Sequence, residues 1–518
     1  MDDNLPSFGS FLDVVSQALM THAQRECLVM GRRRFTYAEV DRLSARVANA
    51  LIEAGFAPGM KGAVVAHNSP EAFIATLGII RAGGVWMPAA KTIPPPTLLA
   101  TWTAVGCDAL FVDDATVGES LQAGLAALVA VVDMRADGSG LAEWAGEASA
   151  TAPALECDGN DVISLPMTGG TTGAPKGVML SHANFSAIAY AMSADYQTRS
   201  EPPVLLGAAP MTHVGGRIVL MSLPAGATCV IMPTVDVGQI LAVIEEHRIT
   251  DVFLPPTAIY RLLDNPMLGA HDLSSLRSLA YGSAPMALPR LKQALQVLGP
   301  VMRGGFGQTE CPMFITELHP HEHALEDGTL APDERLRSVG RATVISDVAI
   351  MADDGTLLAA GEIGEIVVRG HNVSLGYYEK PDETAQMRAH GWHHTGDVGV
   401  IDAEGYVTIV DRLKDMIISG GFNVYSSQVE AVLHTVDGVA GVAVVGIADA
   451  DWGELVCAAV VPERGAELDP GALAARCRAT LGSVSTPKRV VIVDELPTTA
   501  VGKVDKRAVR EMITHASE

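Results

Sequence analysis

Hydrophobic and polar positions alternate between two periods along this chain. Phe35-Thr36-Tyr37-Ala38-Glu39-Val40, followed by Leu43, Val47, Ala48 and Leu51, has the 3.6-residue spacing of an amphipathic helix, with Thr36 as its N-cap. Gly62-Ala63-Val64-Val65-Ala66 reads as a strand, and Pro70 to Ala82 as a helix closed by Gly83-Gly84. Asp161 to Pro166 is a short apolar strand, and Ser181 caps a helix that begins at His182. Leu276 to Tyr281 and Gly364 to Gly370 are further strands. This βα alternation predicts an α/β fold: a large N-terminal domain of mixed, largely parallel sheets flanked by helices. The last hundred or so residues read differently, as α+β. Ser427-Gln428-Val429-Glu430 has the form of a capping box. Strands follow near Val442–Ile447 and Leu455–Val461, a helix near Pro470–Leu481 and a strand near Arg489–Val493.

Composition narrows the class. At 518 residues and 48% apolar content the chain has enough material for two or more buried cores. A net charge of −24 excludes nucleic acid and anionic membrane surfaces as natural partners. Any polyphosphate site must therefore gather its own positive charge. The seven cysteines (27, 107, 157, 229, 311, 457 and 477) are scattered and form no C-x-x-C pair, as expected of reduced thiols in a cytoplasmic protein. The acidic start Met1-Asp2-Asp3-Asn4 is unlike a signal peptide, and apolar runs such as Leu125 to Val132 are too short to be a transmembrane segment. His319-Pro320-His321-Glu322-His323 could bind a metal, but its acidic, glycine-containing sequel reads as a solvated loop; a zinc-protease H-E-x-x-H is absent.

One stretch concentrates chemistry. Thr168-Gly169-Gly170-Thr171-Thr172-Gly173-Ala174-Pro175-Lys176-Gly177 reads as a loop between the Asp161–Pro166 strand and the helix that Ser181 caps, built of glycines, hydroxyls and one ammonium. Such a loop lets backbone N–H groups, threonine hydroxyls and a lysine converge on an anion, most plausibly a polyphosphate. It is not a Walker A loop, because Pro175-Lys176-Gly177 stands where Gly-Lys-Ser/Thr is needed.

These residues resemble the phosphate loop of the adenylate-forming superfamily of acyl-CoA synthetases, luciferases and peptide-synthetase adenylation domains. Gly169 replaces the usual Ser. Further motifs follow in the family's order. Ala208 to Gly216 contains His213, which the resemblance places beside the acyl carboxylate. No Asp stands between Gly207 and Gly226 to pair with an α-ammonium, which disfavours an amino acid substrate. Gly282-Ser283-Ala284-Pro285 resembles the segment backing adenine and acyl chain. Gly304-Gly305-Phe306-Gly307-Gln308-Thr309-Glu310 resembles Tyr-Gly-x-Thr-Glu, with Phe306 offering adenine an apolar face, Thr309 a hydroxyl for phosphate, and Glu310 with Thr168 oxygens for Mg²⁺. Gly307 stands where acetate-using relatives carry a pocket-closing Trp, and Gly304 and Gly305 add no bulk, which implies an open acyl pocket with Gly282 and His213 in its lining. Thr395-Gly396-Asp397 implies that Asp397 accepts from the ribose hydroxyls; Arg412 would hold the same ribose. Lys414 is implied as the hinge of a mobile C-terminal domain, which divides the chain into 1–413 and 414–518. Gly420-Gly421-Phe422 resembles the loop that lets the pantetheine arm of CoA pass, and Lys503 the catalytic lysine bridging acyl carboxylate and α-phosphate.

The resemblance spans the whole chain and implies an ATP-, Mg²⁺- and CoA-using ligase of a medium, long or bulky hydrophobic carboxylic acid (fatty, aromatic or polycyclic), cytoplasmic and compatible with a homodimer. Two alternatives stay open: an acyl-AMP ligase that loads an acyl carrier protein, and a non-catalytic nucleotide-binding sensor of the same fold. A luciferase is admitted by the fold, but nothing in the residues signals oxygen chemistry.

Overall fold

The structure, a computed structural model, describes residues 8–125, 128–168, 176–196, 198–234, 236–282, 284–449, 451–498 and 504–515. It is mixed α/β and divides into two compact units: Met1–Val348 with Val368–His393, and Ala349–Val367 with His394–Glu518.

The first unit holds two large sheets. Among the described residues, the nine-stranded sheet runs Arg341–Ala342, Thr316–Leu318, Met302–Phe306, Ser278–Tyr281, Asp251–Phe253, Val204–Gly207, Thr228–Ile231, Glu26–Met30, Arg33–Thr36. Its six central strands, from Met302–Phe306 to Glu26–Met30, are parallel. Strand order reverses beside Val204–Gly207. The connection through the helix Val214–Ser222 returns to one neighbour, Thr228–Ile231, whereas the next strand, Asp251–Phe253, pairs on the other side. Right-handed crossovers put such connections on opposite faces and leave a crevice at the carboxyl ends of the strands.

The eight-stranded sheet runs Gly376–Tyr377, Lys176–Ser181, Val162–Ser164, Val85–Pro88, Lys61–Val65, Ala109–Val112, Ala130–Asp133, and Met167–Thr168 also pairs with Lys176–Ser181. The expected helices form where the pattern puts them, but the glycine-rich stretch does not lead straight into one: Lys176–Ser181 is a strand, paired antiparallel with Met167–Thr168 and Val162–Ser164, and the helix starts only at His182. Thr36 and Glu39 make a reciprocal capping box for Tyr37–Glu53. Ser181 Oγ accepts from Asn184 N while Asn184 Oδ1 accepts from Ser181 N, opening His182–Tyr196. The helix Pro70–Arg81 is buried all round, capped by Ser69.

Asn68 ties the two sheets together. Its buried side-chain amide donates among the carbonyls of Gly207, Ala208, Ala209 and Met232, 3.0–3.3 Å away. Its Oδ1 accepts from Met211 N at 2.7 Å. This fixes the chain as it leaves Val204–Gly207 toward His213.

The second unit contains the antiparallel pair His393–Ile401 and Val407–Arg412, whose register sets Asp397 opposite Arg412. It also contains a five-stranded sheet, Phe422–Val424, Ile417–Ser419, Gly453–Pro462 and Val439–Asp449, with Arg489–Ile492 on Gly453–Pro462. The helices Ser426–Leu433 and Pro470–Leu481 pack on it around Val429, Leu433, Leu473 and Cys477. The capping box expected at Ser427 does not form. The Ser427 hydroxyl donates to the Val410 carbonyl, and Glu430 accepts from Val444 N and pairs with Lys506. The Asp411 carboxylate takes over the helix start, accepting from Ser427 N at 3.3 Å and Ser426 Oγ at 2.9 Å.

All seven cysteines are free. Among the described residues no helix is long and apolar enough to cross a membrane. The histidines of 319–323 gather no metal set; His319 and His321 stack at 5.6 Å, whereas His323 is buried with Nδ1 on the His319 carbonyl at 2.9 Å. Burial pushes the imidazoles of both His323 and His182 down to about 4.

Two predictions follow from this packing. Asn68→Ala removes two amide donors from this cluster of buried carbonyls and the acceptor of Met211 N, and should lower the unfolding free energy by about 3 kcal/mol in a denaturant titration. His182 and His323 stay neutral in the fold but protonate near pH 6.5 once unfolded. Their contribution is complete above pH 6.5 and is lost as pH falls toward 4, by about 3 kcal/mol each. Stability measured from pH 7 to 4 should fall with that slope, and His323→Gln should flatten part of it.

Candidate active site

The carboxyl ends of the parallel strands in the nine-stranded sheet carry the motif residues one after another. His213 follows Val204–Gly207 by a short turn, Gly282 ends Ser278–Tyr281, and Phe306 ends Met302–Phe306, with Gly307, Thr309 and Glu310 beyond it. Tyr281 and Phe306 are buried. Gly282 is less crowded than its neighbours but still close-packed, since a Cβ there would stand 3.3 Å from Gly305 O and 3.8 Å from Phe253 Cε2. Ala284 and Pro285 lie exposed after it.

The other glycines correct an expectation. Gly304, Gly305 and Gly307 do not leave open space. A Cβ at Gly304 would come within 2.7 Å of Tyr281 Oη, one at Gly305 within 2.3 Å of Phe314 Cδ1, and one at Gly307 within 2.0 Å of the Met313 carbonyl oxygen. They are glycines because neighbours already fill those positions.

His213 is the N-cap residue of Val214–Ser222, and Gly215 and Gly216 lie in the first turn of that helix. The His213 side chain keeps open surface, yet protein around the ring strips much of its water. That desolvation, with the Arg217 charge second, pushes its imidazole down to about 4, so it is neutral at pH 7.

Lys176 and Glu310, far apart in sequence, meet across Tyr377. Lys176 pairs with Thr168 in register, and Thr168 Oγ1 donates to the Lys176 carbonyl at 3.3 Å. Tyr377 lies on the other side, opposite Val178. The Lys176 ammonium sits 4.9 Å from the Tyr377 ring centroid, and the Tyr377 hydroxyl donates to Glu310 Oε1 at 2.8 Å. Burial first, and the Glu310 charge next, raise the Tyr377 hydroxyl well above its ordinary range, so it remains a donor. Ser374 N donates to the Glu310 carbonyl at 2.8 Å, and Arg388 donates to the Ser374 carbonyl. Tyr377 and Arg388 were invisible to the motif reading, because nothing in Leu375-Gly376-Tyr377-Tyr378 marks which tyrosine turns toward Glu310.

In the second unit, Asp397 is buried and its Oδ1 accepts from Arg412 Nε at 2.9 Å. The turn before it is held by Thr395 Oγ1 donating to the Ile366 carbonyl at 2.6 Å and Gly396 N donating to Glu365 Oε1 at 2.8 Å. Lys414 is exposed in a short 3₁₀ turn, Leu413–Asp415. Gly420 and Gly421, with φ of 60° and 79°, form the two-residue turn between Ile417–Ser419 and Phe422–Val424. Consecutive positive φ values are those of a type I′ hairpin, which L side chains resist. Phe422 is 62% exposed beside that turn. Gly169, Gly170, Thr171, Thr172, Gly173, Ser283 and Lys503 lie outside the described residues.

Two cavities stand away from these groups. One, of about 170 Å³, is lined by His67, Asn68, Asp113 and Arg135; the other, of about 300 Å³, by Phe35, Leu43, Ile74 and Leu141. In the first, the cations already have carboxylates, Lys91 on Asp113 and Arg135 on Glu143, and His67 Nδ1 lies 2.8 Å from the other Asp113 oxygen. A self-neutralised cluster has little left for a polyphosphate.

Comparison with known proteins agrees with the motif order. The family model described as AMP-binding enzyme matches residues 15–378, and that of the AMP-binding enzyme C-terminal domain matches 428–503. The chain is 39% identical to a medium/long-chain-fatty-acid–CoA ligase of Mycobacterium tuberculosis over 358 residues, 68% of this chain and 61% of that relative, so less than two thirds of its length is spanned. It is 36% identical to a feruloyl-CoA synthase of Amycolatopsis, covering 93% and 94% of the two chains. Among solved structures, an amide bond synthetase of Marinactinospora thermotolerans superposes with a TM-score of 0.85 at 31% identity, over 97% of this chain and all of the other. The chain belongs to the AMP-binding enzyme family, within the adenylate-forming superfamily and on its acyl-CoA synthetase branch.

Proposed function

We propose that this protein is an AMP-forming acid–CoA ligase that activates a medium, long or bulky apolar carboxylic acid as acyl-AMP, with release of pyrophosphate, and passes the acyl group to CoA. The observation that carries the reading is the meeting of Lys176 with Glu310 across Tyr377 in a chain that matches both segments of the family. The relatives named for fatty acids and for feruloyl-CoA support an apolar or aryl acid.

In the first half-reaction a carboxylate oxygen attacks the α-phosphorus of ATP, and pyrophosphate leaves. Two anions must approach, so the protein's task is positioning and charge neutralisation rather than covalent catalysis. Thr168, Gly169, Gly170, Thr171, Thr172, Gly173 and Lys176 hold the β- and γ-phosphates. Phe306, Gly307, Ser283, Ala284 and Pro285 frame the base, Thr309 offers a hydroxyl to phosphate, and Asp397 with Arg412 takes the ribose. Neutral His213 meets the acid carboxylate without the ion pair that would blunt its nucleophilicity. Lys503 offsets charge growing between carboxylate and α-phosphate.

Mg²⁺ fits this donor set. Among the described residues no group of three His, Cys, Asp or Glu gathers to cage a metal, and Mg²⁺ needs none; it keeps waters and takes one or two protein oxygens with substrate phosphates. Glu310 and Thr168 would hold it, and when bound it neutralises phosphate oxygens. In the second half-reaction the CoA thiolate attacks the acyl carbonyl and AMP leaves with the bonding pair. Lys414 is the hinge about which residues 414–518 turn between the steps, and Gly420, Gly421 and Phe422 serve the pantetheine arm. A cytoplasmic location belongs to the same proposal. The structural likeness to an amide bond synthetase makes an amine, beside a carrier-protein thiol, the acceptor to test against CoA.

Lys503→Ala should lower adenylation by about 10²–10³, as expected for losing one preorganised charge donor, yet spare thioester formation from supplied acyl-AMP. An equal loss in both half-reactions would remove the assigned role. Tyr377→Phe deletes the hydrogen bond to Glu310 and keeps the ring under Lys176. It should leave the thermal midpoint nearly unchanged and reduce kcat of pyrophosphate release by about 10-fold, with a higher Mg²⁺ requirement. Unchanged Mg²⁺ dependence would mean that Tyr377 does not position Glu310.

A further inference from the structure

Three arginines are buried in the first unit, Arg81, Arg217 and Arg303, at 4%, 7% and 8% exposure. Two are fully answered. Arg81 donates to the Asp41 carbonyl and Ser44 Oγ and pairs with Asp41 Oδ1 at 2.8 Å. Arg303 bridges Asp195 at 2.7 Å and Glu317 at 3.0 Å. Arg217 is different. Among the described residues its side chain has neither a hydrogen bond nor an ion pair, and its enclosed Nε has no partner. A buried, unpaired guanidinium is costly, and native folds rarely keep one. Burial pulls it down only to about 10, so it is still a cation at pH 7.

Its place gives the reason for keeping it. Arg217 is the lone charge in Val214–Ser222 and stands one helical turn after His213. Arg217 N donates to the His213 carbonyl at 3.3 Å, which sets the two residues one turn, about 6 Å, apart along the axis. The two are close enough for the Arg217 charge to help keep His213 neutral.

We propose that Arg217 is a specificity-determining residue of the acid pocket, receiving an oxygen acceptor, a second carboxylate or a keto oxygen, that the substrate carries beyond its reacting carboxylate. The reacting carboxylate is left to His213, since a bidentate guanidinium would quench the nucleophile. The substrate is then an apolar frame with one distal oxygen function rather than a plain hydrocarbon acid. This rests on the acid–CoA ligase reading and narrows its substrate.

The test compares pyrophosphate release from decanoate, 9-oxodecanoate and decanedioate by the wild type, Arg217→Leu and Arg217→Lys. The wild type should favour an oxygenated acid over decanoate by about 10- to 100-fold in kcat/KM, the range of a hydrogen bond to a charged group. Arg217→Leu should reverse that order while keeping or raising turnover of decanoate. Arg217→Lys should retain decanedioate better than the ketone, because ammonium is a point charge. A wild-type preference for decanoate overturns the proposal without any variant. So does an Arg217→Leu that loses the same factor on all three acids. If no acid yields pyrophosphate, the ligase reading fails separately, and calorimetric binding of decanedioate decides about Arg217. Binding at least 10-fold tighter to the wild type than to Arg217→Leu sustains the proposal, and equal binding ends it.

Discussion

A parallel sheet whose strand order reverses cannot close its carboxyl edge. The two connections beside the reversal depart to opposite faces, and the backbone between them is left uncovered. Here the reversal falls at Val204–Gly207, and every motif residue of the nine-stranded sheet stands on that edge: His213, Gly282, Phe306, Thr309 and Glu310. The second sheet delivers Thr168 and Lys176 from neighbouring strands. Asn68 fixes how the two sheets meet, by holding the chain between Gly207 and Met211. Remove that alignment and the residues remain, but not as a site.

Charge is the second constraint. A chain of net charge −24 repels ATP in the mean, so binding must come from cations placed where the sheets put them. Among the described residues, Lys176 is held over an aromatic face rather than by a carboxylate. Glu310 is tethered through one oxygen by a neutral hydroxyl, and among the described residues no cation pairs with its carboxylate. Arg412 is half committed, with one nitrogen on Asp397. Lys176, the cation meant for phosphate, is thus oriented by a neutral ring, whereas Arg412, meant for the ribose, is oriented by a carboxylate.

Much of this was legible in the residues. Element types followed from period and caps: Thr36 with Glu39, Ser181 with Asn184, and the continuous apolar face of Pro70–Arg81. The motif series ordered the site along the chain. What escaped depended on contacts distant in sequence. Tyr377 is one of two adjacent tyrosines, and only strand register decides which faces Glu310. The glycines around Phe306 looked like empty volume, because a sequence cannot show that Tyr281, Phe314 and Met313 already occupy it. Ser427 had the form of a capping residue, but Asp411, sixteen positions earlier, reaches the same N–H. Arg217 carried no signal in the sequence, because its burial without a hydrogen bond or ion pair among the described residues is a property of packing.

The most direct test is product analysis with purified protein, ATP, Mg²⁺, CoA and a mixture of fatty, aryl and polycyclic acids, resolved by mass spectrometry. The account predicts that one acid class is converted to its CoA thioester, with AMP and pyrophosphate formed in equal amounts and no thioester without CoA. ATP binding without pyrophosphate from any acid, or acyl-AMP that is discharged to an amine or a carrier protein but never to CoA, would contradict it.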